Sequence, residues 1–373
     1  MEMHTLYTKS FLLPLFFLLL TSLISHSKAC NVIDKEALLQ FKNKITSDPS
    51  QLLNSWTLST DCCKGWNGVT CDSTTGRVVS LTLSGTVDDG IDLPFDTYLS
   101  GTLSPYLGNL TNLKILSLIG LMQLNGPIPV EFNKLAKLEK LFLNDNKLSG
   151  DLPLEIGSLV SLLELGLSGN NFSGIIPSSI GSLKLLTSLD LKKNNLSGGV
   201  PESIGNLKNL GFLDLSGNKI GGKIPESIGG LKKLNTLDMM QNKIEGNVPV
   251  SIGELSSLTF LRLSDNLLSG VLPSEIGNLK NLKNLNLQNN MLNGNLPASI
   301  GNLNGLRELS LGNNKFSGKI PATFGNLKDL QNVDFSGNRL RGRIPKSMAK
   351  MSKSSFLGNR RLCGLPLPPC KPF

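Results

Sequence analysis

Proline recurs every 24 residues over most of this chain, and this period constrains the fold more than any other feature. The ten prolines of the series are Pro129, Pro153, Pro177, Pro201, Pro225, Pro249, Pro273, Pro297, Pro321 and Pro345. An asparagine follows the same period, at Asn146, Asn170, Asn194, Asn218, Asn242, Asn266, Asn290, Asn314 and Asn338. Such a strict repeat predicts a solenoid, because one short unit cannot bury its apolar face alone whereas stacked units can.

Each repeat contains a segment in which apolar and polar residues alternate, as in Leu213-Asp214-Leu215. This period of two predicts a short β-strand with its leucines turned inward. The asparagine that follows suits the backbone of a turn, so stacked copies are expected to form a ladder, and the proline ends the extended stretch. About eleven such strands, spaced by about 4.8 Å, predict a curved sheet roughly 50 Å long.

The first 29 residues are typical of a secretory signal peptide. Lys9 precedes an apolar run from Phe11 to Leu20, and small residues precede Cys30. The alternative is an uncleaved anchor helix, but the run is short for a bilayer span and contains Pro14. We therefore expect cleavage before Cys30 and a mature protein that is soluble and secreted.

All six cysteines follow this segment: Cys30, Cys62, Cys63, Cys71, Cys363 and Cys370. An even number at each end of the repeats predicts two caps closed by disulfides, whereas the spacing lacks the paired C-x2-C of zinc sites. We expect a signal peptide at 1–29, a cap at 30–76, about ten to eleven repeats over 77–349 and a closing cap at 350–373. Sequons at Asn109, Asn171 and Asn195 fit a glycosylating pathway.

Both histidines, His4 and His26, lie in the predicted signal peptide. A mature chain without imidazole excludes Ser-His-Asp and Cys-His catalysis and histidine metal sites. We expect no metal and no cofactor, and we expect the protein not to be an enzyme.

The residues that vary between repeats at the predicted strands form the candidate ligand-binding face. The predicted set is Lys140, Phe142, Asp190, Lys192, Phe212, Asp214, Asp238, Met240, Phe260, Arg262, Asn286 and Gln288. Three successive aspartates would lie about 5 Å apart, near the carboxyl separation of retaining glycosidases. An open, shallow face does not exclude water, however, so charge for steering and apolar anchors for affinity favour binding over catalysis.

The unit L-x-x-L-x-L-x-x-N-x-L-x-G-x-I-P resembles the plant extracellular subclass of leucine-rich repeats. The resemblance implies a leucine-rich repeat solenoid, an α/β-type horseshoe with 24-residue plant-type repeats, a curved parallel β-sheet on the concave face and disulfide-stapled N- and C-terminal caps. Two irregularities fall near its start: an insert at 84–98, and Met122 near the expected asparagine. We expect the first convex edge to be irregular.

The segments "DKEALLQFKNKITSDPSQLLNSW" and "DCCKGWNGVTCD" resemble the N-terminal cap of that family, which implies the pairs Cys30–Cys62 and Cys63–Cys71. Asp34 is expected to cap a helix whose buried face is Ala37, Leu38, Phe41 and Ile45. The segment "SSFLGNRRLCGLPLPPC" resembles the closing cap of receptor-like ectodomains, which implies the pair Cys363–Cys370.

The resemblance implies a secreted recognition protein that binds a protein or peptide ligand, with a membrane receptor kinase as a partner. The alternative is an inhibitor of fungal polygalacturonases, because the caps, repeat length and repeat number also resemble polygalacturonase-inhibiting proteins. Those inhibitors have four cysteines in the closing cap, whereas this chain has Cys363 and Cys370. A weaker resemblance is to plant proteins of DNA-damage toleration; a secreted, disulfide-capped chain gives no physical support for a nucleic-acid partner.

Basic residues are concentrated at the C-terminal end. Nine of them, and no acidic residue, occur from Arg339 onward. Seven form the predicted polyanion-binding set, namely Arg339, Arg341, Arg343, Lys350, Lys353, Arg360 and Arg361. Pectin is the abundant polyanion outside a plant cell, an anionic membrane is an alternative ligand, and a solvated cap that resists aggregation is the structural alternative.

Overall fold

The computed structural model describes residues 28–85 and 98–371 of the chain. The predicted signal peptide, apart from its last two residues, and most of the insert at 84–98 lie outside these ranges. In the described residues the 24-residue units stack into a solenoid with two sheets. Strands are numbered here in chain order, β1 to β23.

The concave sheet has twelve described strands, one from each repeat and one from the N-terminal cap. In spatial order they are β2 (Val69–Cys71), β3 (Val78–Ser84), β5 (Ile115–Ile119), β7 (Lys140–Phe142), β9 (Glu164–Gly166), β11 (Ser188–Asp190), β12 (Phe212–Asp214), β13 (Thr236–Asp238), β15 (Phe260–Arg262), β17 (Asn284–Asn286), β19 (Glu308–Ser310) and β21 (Asn332–Asp334). The cap strand β2 is antiparallel to β3, and the later pairs are parallel. The predicted parallel concave sheet is confirmed, with an antiparallel strand added at its edge.

A second sheet, which the repeat pattern did not predict, follows the concave sheet in most units and is interrupted between Ser173 and Glu245, where the isolated bridge Ile175–Ser197 takes its place. One part contains β1 (Ile45–Ser47), β4 (Leu99–Thr102), β6 (Met122–Gly126), β8 (Lys147–Asp151) and β10 (Asn171–Ser173). The other contains β14 (Glu245–Gly246), β16 (Leu267–Val271), β18 (Met291–Asn295), β20 (Lys315–Gly318), β22 (Arg339–Arg343) and β23 (Arg361–Cys363). Most of these strands carry one buried leucine or phenylalanine before a glycine of positive φ, so their alternation is too short to be recognised in the sequence.

The convex side consists of short 3-10 helices, each beginning one residue after its proline in the regular repeats. Their bounds are Pro105–Asn109, Val130–Lys134, Leu154–Ser158, Ser178–Ser182, Glu202–Asn206, Glu226–Gly230, Val250–Glu254, Ser274–Asn278, Ala298–Asn302, Ala322–Asn326, Lys346–Met348 and Lys353–Phe356. Their glycines allow close stacking: a Cβ at Gly205 would lie 2.3 Å from the carbonyl oxygen of Ser227. The leucines and isoleucines of all three segments fill one continuous core.

The repeated asparagines form the expected ladder inside the turn between the two sheets. Asn218 Nδ2 donates to the carbonyls of Leu191 (2.9 Å) and Leu215 (3.0 Å), and its Oδ1 accepts from the N–H of Leu196 (3.0 Å). Each asparagine therefore joins its own turn to the preceding repeat. The Oδ1 of Asn146, the first of the series, has no hydrogen-bond partner among the described residues, since the preceding repeat is the irregular one.

The N-terminal cap corrects one local prediction. The helix α1 (Val32–Lys42) is capped by Asn31, whose Oδ1 accepts from the N–H of Ile33 at 3.0 Å, and not by Asp34. Asp34 is instead fully buried, and its carboxylate accepts from Arg77 Nε and from the N–H of Val78, both at 2.8 Å. An N-cap side chain accepts hydrogen bonds from N–H groups in the first turn of its helix. The Asp34 carboxylate does not do so, because it is bonded to Arg77 and to the N–H of Val78 in β3.

The buried face of α1 also differs from the predicted one. Ala37, Leu38 and Phe41 are buried as expected, but Ile45 lies outside the helix, in β1. The helix ends earlier than the apolar spacing suggested, because the chain turns at Asn43 to pair with β4.

Disulfides join Cys30 to Cys62, Cys63 to Cys71 and Cys363 to Cys370, the pairs that the family resemblance implies. The carboxylate of Asp61 accepts from the N–H groups of Cys30 (3.0 Å) and Cys63 (2.9 Å), so it organises the first cap rather than a metal site. At the other end Asn359 continues the asparagine ladder into the closing cap, where its Oδ1 accepts from the N–H of Leu340 at 2.9 Å.

Candidate binding face

In the regular repeats, each residue of a concave strand pairs with the equivalent residue of the next repeat, 24 positions later, so equivalent side chains lie side by side. Asp190, Asp214, Asp238, Arg262 and Asn286 follow one another across five adjacent strands. Each lies between two buried leucines or their equivalents and therefore projects from the concave surface. We call the first three residues the acidic strip.

Burial sets the electrostatics of the acidic strip. Burial raises the pKa of Asp190 and of Asp238, and the nearby charge of Asp214 adds to the effect in both. Hydrogen bonds oppose it, because Asp190 accepts from the N–H of Lys192 (3.2 Å) and Asp238 from that of Met240 (3.1 Å). The strip therefore concentrates negative charge that is only partly solvated.

Asp214 is the most enclosed by local hydrogen bonds. Its Oδ1 accepts from the N–H of Ser216 at 2.9 Å and from the Ser216 hydroxyl at 2.6 Å. Cations stand at both sides of the strip: Lys192 Nζ is 3.8 Å from Asp190 Oδ2, and Arg262 is 3.5 Å from Asp238 Oδ2. These ion pairs are long and partly exposed, so a cationic group of a ligand can replace Lys192 or Arg262 at little cost in free energy.

Apolar side chains flank the acidic strip on one side. Phe212 and Phe260 stand two strands apart with Thr236 between them, and the Arg262 guanidinium lies 5.2 Å from the centre of the Phe260 ring. Both rings are partly exposed. Two aromatic rings beside buried carboxylates are suited to bind an apolar and a cationic side chain of one ligand.

On the other side of the acidic strip, the Met240 side chain extends past the next repeat to reach Asn286. Its sulfur accepts a weak hydrogen bond from Asn286 Nδ2 at 3.9 Å, and the intervening Ser264 is 1% exposed with no partner for its hydroxyl among the described residues. The sequence pattern does not distinguish Ser264 as a binding-face residue, because serine also occupies the equivalent position in other repeats. Gln288 lies one strand further on, its N–H donating to Asn286 Oδ1 at 3.2 Å.

Lys140 and Phe142 lie at the N-terminal end of the face rather than beside the strip. Lys140 Nζ pairs with Glu164 at 2.6 Å, and Phe142 occupies space left by Gly166, where a Cβ would lie 2.9 Å from the ring. The structure thus divides the predicted set into this pair and a contiguous group of ten residues on the following strands.

The predicted polyanion-binding set is also divided. Arg339, Arg341, Arg360 and Arg361 line a groove of about 450 Å³ on the second sheet. Arg343 lines a neighbouring groove of about 300 Å³ together with Lys346. Lys350 and Lys353 line neither groove.

The predicted glycosylation sites differ in exposure. Asn171 and Asn195 are exposed, whereas Asn109 is half-buried at the end of a 3-10 helix.

Family models match most of the repeats and the first cap. A leucine-rich repeat region matches residues 189–315, a leucine-rich repeat N-terminal domain matches 33–72, and single leucine-rich repeats match 137–159, 161–183, 305–327 and 329–351. Among residues 28–85 and 98–371, no helix combines the length and apolarity needed to cross a membrane.

The matches with curated relatives span from about a tenth to two fifths of the length of those proteins. The DNA damage-repair/toleration protein DRT100 of Arabidopsis thaliana is 37% identical over 129 residues, 34% of this chain and 35% of that protein. A polygalacturonase inhibitor of Vitis vinifera is 37% identical over 144 residues, 39% of each chain.

Solved structures cover more of the chain. The PEPR1 structure with AtPEP1 matches with a TM-score of 0.76 and 33% identity, over 85% of this chain and 43% of that chain. A plant ice-binding protein matches with a TM-score of 0.69 and 30% identity, over 92% of this chain and 99% of that chain. The chain therefore belongs to the plant extracellular leucine-rich repeat family, together with receptor-like proteins and polygalacturonase inhibitors.

Proposed function

We propose that this protein is a secreted recognition protein that binds a peptide or protein ligand on its concave face in plant signalling or defence. The acidic strip beside Phe212 and Phe260 is the observation that carries the proposal. It combines long-range steering of a cation with apolar anchoring, and the charges and rings project from a rigid sheet that needs no rearrangement to bind.

The chemistry of the strip indicates the kind of ligand. Three carboxylates attract a lysine or arginine side chain, and the two phenylalanines offer a surface for an aliphatic or aromatic side chain a few residues away. An extended segment can place both, since alternate side chains of an extended chain face the same surface. The ectodomain of the Arabidopsis receptor kinase HAESA, solved in complex with a peptide hormone ligand and matched at 32% identity with a TM-score of 0.66, supports a peptide ligand and a membrane receptor kinase as a partner.

The proposal is tested with a library of synthetic peptides that combine basic and apolar residues, together with their charge-reversed counterparts. Wild-type protein should bind the basic set, and the variant Asp214→Asn/Asp238→Asn should bind about tenfold more weakly through loss of two charge pairs. A variant with the same charge change at exposed sites, Asp145→Asn/Asp329→Asn, should bind as wild type does. Equal affinity of all three proteins would remove the acidic strip from the binding site.

A second candidate function is inhibition of a secreted pectin-degrading glycosidase. The relative from Vitis vinifera supports it, and so does charge complementarity, because an enzyme that binds polygalacturonate needs a basic substrate cleft whereas the strip is acidic. Reducing-sugar release by fungal polygalacturonases is the measurement. Dose-dependent inhibition that Asp214→Asn/Asp238→Asn abolishes would favour this role, and full activity at saturating protein would exclude it for those enzymes.

We also propose that residues 1–29 are removed and that the mature protein acts outside the cell or in the cell wall. Three disulfides in the two caps of the chain are typical of an oxidising compartment. N-terminal sequencing of protein recovered from the medium of plant cells should begin at Cys30. Protein retained in the cell with Met1 intact would contradict this.

A further inference from the structure

The C-terminal end of the second sheet concentrates cations that the concave face does not use. Arg339 and Arg341 project from the same side of β22, and β23 places Arg361 opposite Arg341. Arg360 precedes β23 and completes the wall of the groove. We call these four residues the arginine groove.

The four guanidinium groups are available for a ligand. All four side chains are exposed, and among the described residues no carboxylate lies within salt-bridge distance of any of them. The sequence after Asp334 contains no acidic residue to neutralise them. On the adjacent strand β20, Lys315 and, just after it, Lys319 extend the positive surface.

We propose that the arginine groove binds an acidic polysaccharide, a linear chain of sugar carboxylates, at a site separate from the concave face. Guanidinium groups bind carboxylates through two parallel hydrogen bonds. The adjacent strands β22 and β23, about 4.8 Å apart, present these groups close together, so that one acidic chain can contact several of them. Asn295 and Ser317, which also line the groove, can bond the sugar hydroxyls.

The lining disfavours the other anionic partners. Single-stranded nucleic acid is bound largely by stacking on aromatic rings, and none of the described residues that line the groove is aromatic. Binding at a membrane surface relies on apolar side chains that enter the lipid, whereas the apolar lining residue Leu340 is 1% exposed. The exposed sequon residues Asn171 and Asn195 lie several repeats away, so glycans there would leave the groove open.

The test compares two variants with the same loss of charge on the secreted protein. Arg339→Gln/Arg341→Gln changes the groove, and Lys350→Gln/Lys353→Gln changes two nearby residues that do not line it. Binding to immobilised polygalacturonate is measured at low salt and at about 0.2 M salt, since exposed ion pairs weaken with screening. The groove variant should bind about tenfold more weakly and the lysine variant less than twofold.

Three results would overturn the proposal. Equal losses in both variants would mean that net charge alone attracts the polymer. No loss in the groove variant would place the site elsewhere. Tighter binding of phosphatidylserine vesicles or of a single-stranded oligonucleotide, at the same salt, would assign the groove to another partner.

Two further variants test whether the arginine groove binds through its charge and whether this site is separate from the concave face. Arg339→Lys/Arg341→Lys should bind more tightly than Arg339→Gln/Arg341→Gln, because the charge is kept, but more weakly than wild type, because lysine cannot form the two parallel hydrogen bonds. Asp214→Asn/Asp238→Asn should bind polygalacturonate as wild type does, so failure of this inference and failure of the peptide-binding proposal are distinguishable.

Discussion

At the residue scale, the repeated asparagine is the polar group on which the interior depends. Its amide donates to carbonyls of two repeats, and its oxygen accepts from the preceding one. These backbone groups lie in a buried turn that neither sheet can satisfy, and a buried unpaired polar group is costly. The side chain is therefore as necessary to the repeat as its leucines.

Asn218→Ala is expected to lower the free energy of unfolding by about 3 kcal/mol, because it leaves several buried backbone groups unpaired. Asn209→Ala is the matched control: that amide donates at the surface to the Lys184 carbonyl, so the loss should be under about 1 kcal/mol. Urea denaturation measures both. Equal destabilisation would show that the ladder contributes no more than a surface hydrogen bond.

The acidic strip makes stability depend on pH. Burial raises the pKa of Asp238 above its ordinary value of 3.8, with Asp214 adding to the shift. The folded protein therefore holds this proton more tightly, and the contribution to stability falls as the pH rises from about 4 through the raised pKa. Asp238→Asn should have a higher Tm than wild type at neutral pH, and the difference should vanish near pH 3.

Thermal melts across this pH range make the comparison. A lower Tm for Asp238→Asn at neutral pH would mean that the Arg262 contact at 3.5 Å outweighs the cost of burial.

At the scale of the element, close stacking of the 3-10 helices explains the glycine that follows the buried isoleucine in most of the repeats. At Gly181, Gly205 and Gly229 a Cβ would lie 2.3–2.7 Å from a backbone oxygen of the next repeat. A backbone oxygen cannot move as a side chain can, so the convex side would have to open to admit a methyl group. Helix spacing, and with it the curvature of the sheet, depends on these glycines.

Gly205→Ala should destabilise the protein by about 1–3 kcal/mol through this overlap. Gly305→Ala is a matched control, since a Cβ there meets no atom within 4 Å, and it should leave stability unchanged or slightly raised. Guanidinium denaturation of the two variants gives the difference, and a stable Gly205→Ala protein would disprove the packing argument.

At the scale of the whole molecule, each repeat contacts mainly its neighbours, so a change should act locally. The ends are protected by the caps, through Asp34 and Arg77 at the first and through Asn359 and the Cys363–Cys370 bond at the last. The solenoid also separates two surfaces on one rigid frame, the acidic strip on the concave sheet and the arginine groove on the second sheet.

Cys363→Ser/Cys370→Ser should loosen the closing cap and the last repeats while the central ones stay intact. Amide hydrogen exchange is expected to rise by tenfold or more in residues 330–371 and to stay unchanged in residues 140–260. Uniform loss of protection along the chain would mean that the molecule unfolds as a single cooperative unit.

The sequence by itself determined the repeat, the leucine core, the concave sheet and the asparagine ladder, because each follows from a period that the residues display directly. It also predicted which residues face outward on that sheet, since the side chains of a strand alternate. The role of Asp34, the second sheet and the burial of Ser264 were decided only by tertiary structure. Each depends on contacts between residues far apart in the chain, such as Asp34 with Val78 or Arg341 with Arg361. A local sequence pattern cannot predict such contacts.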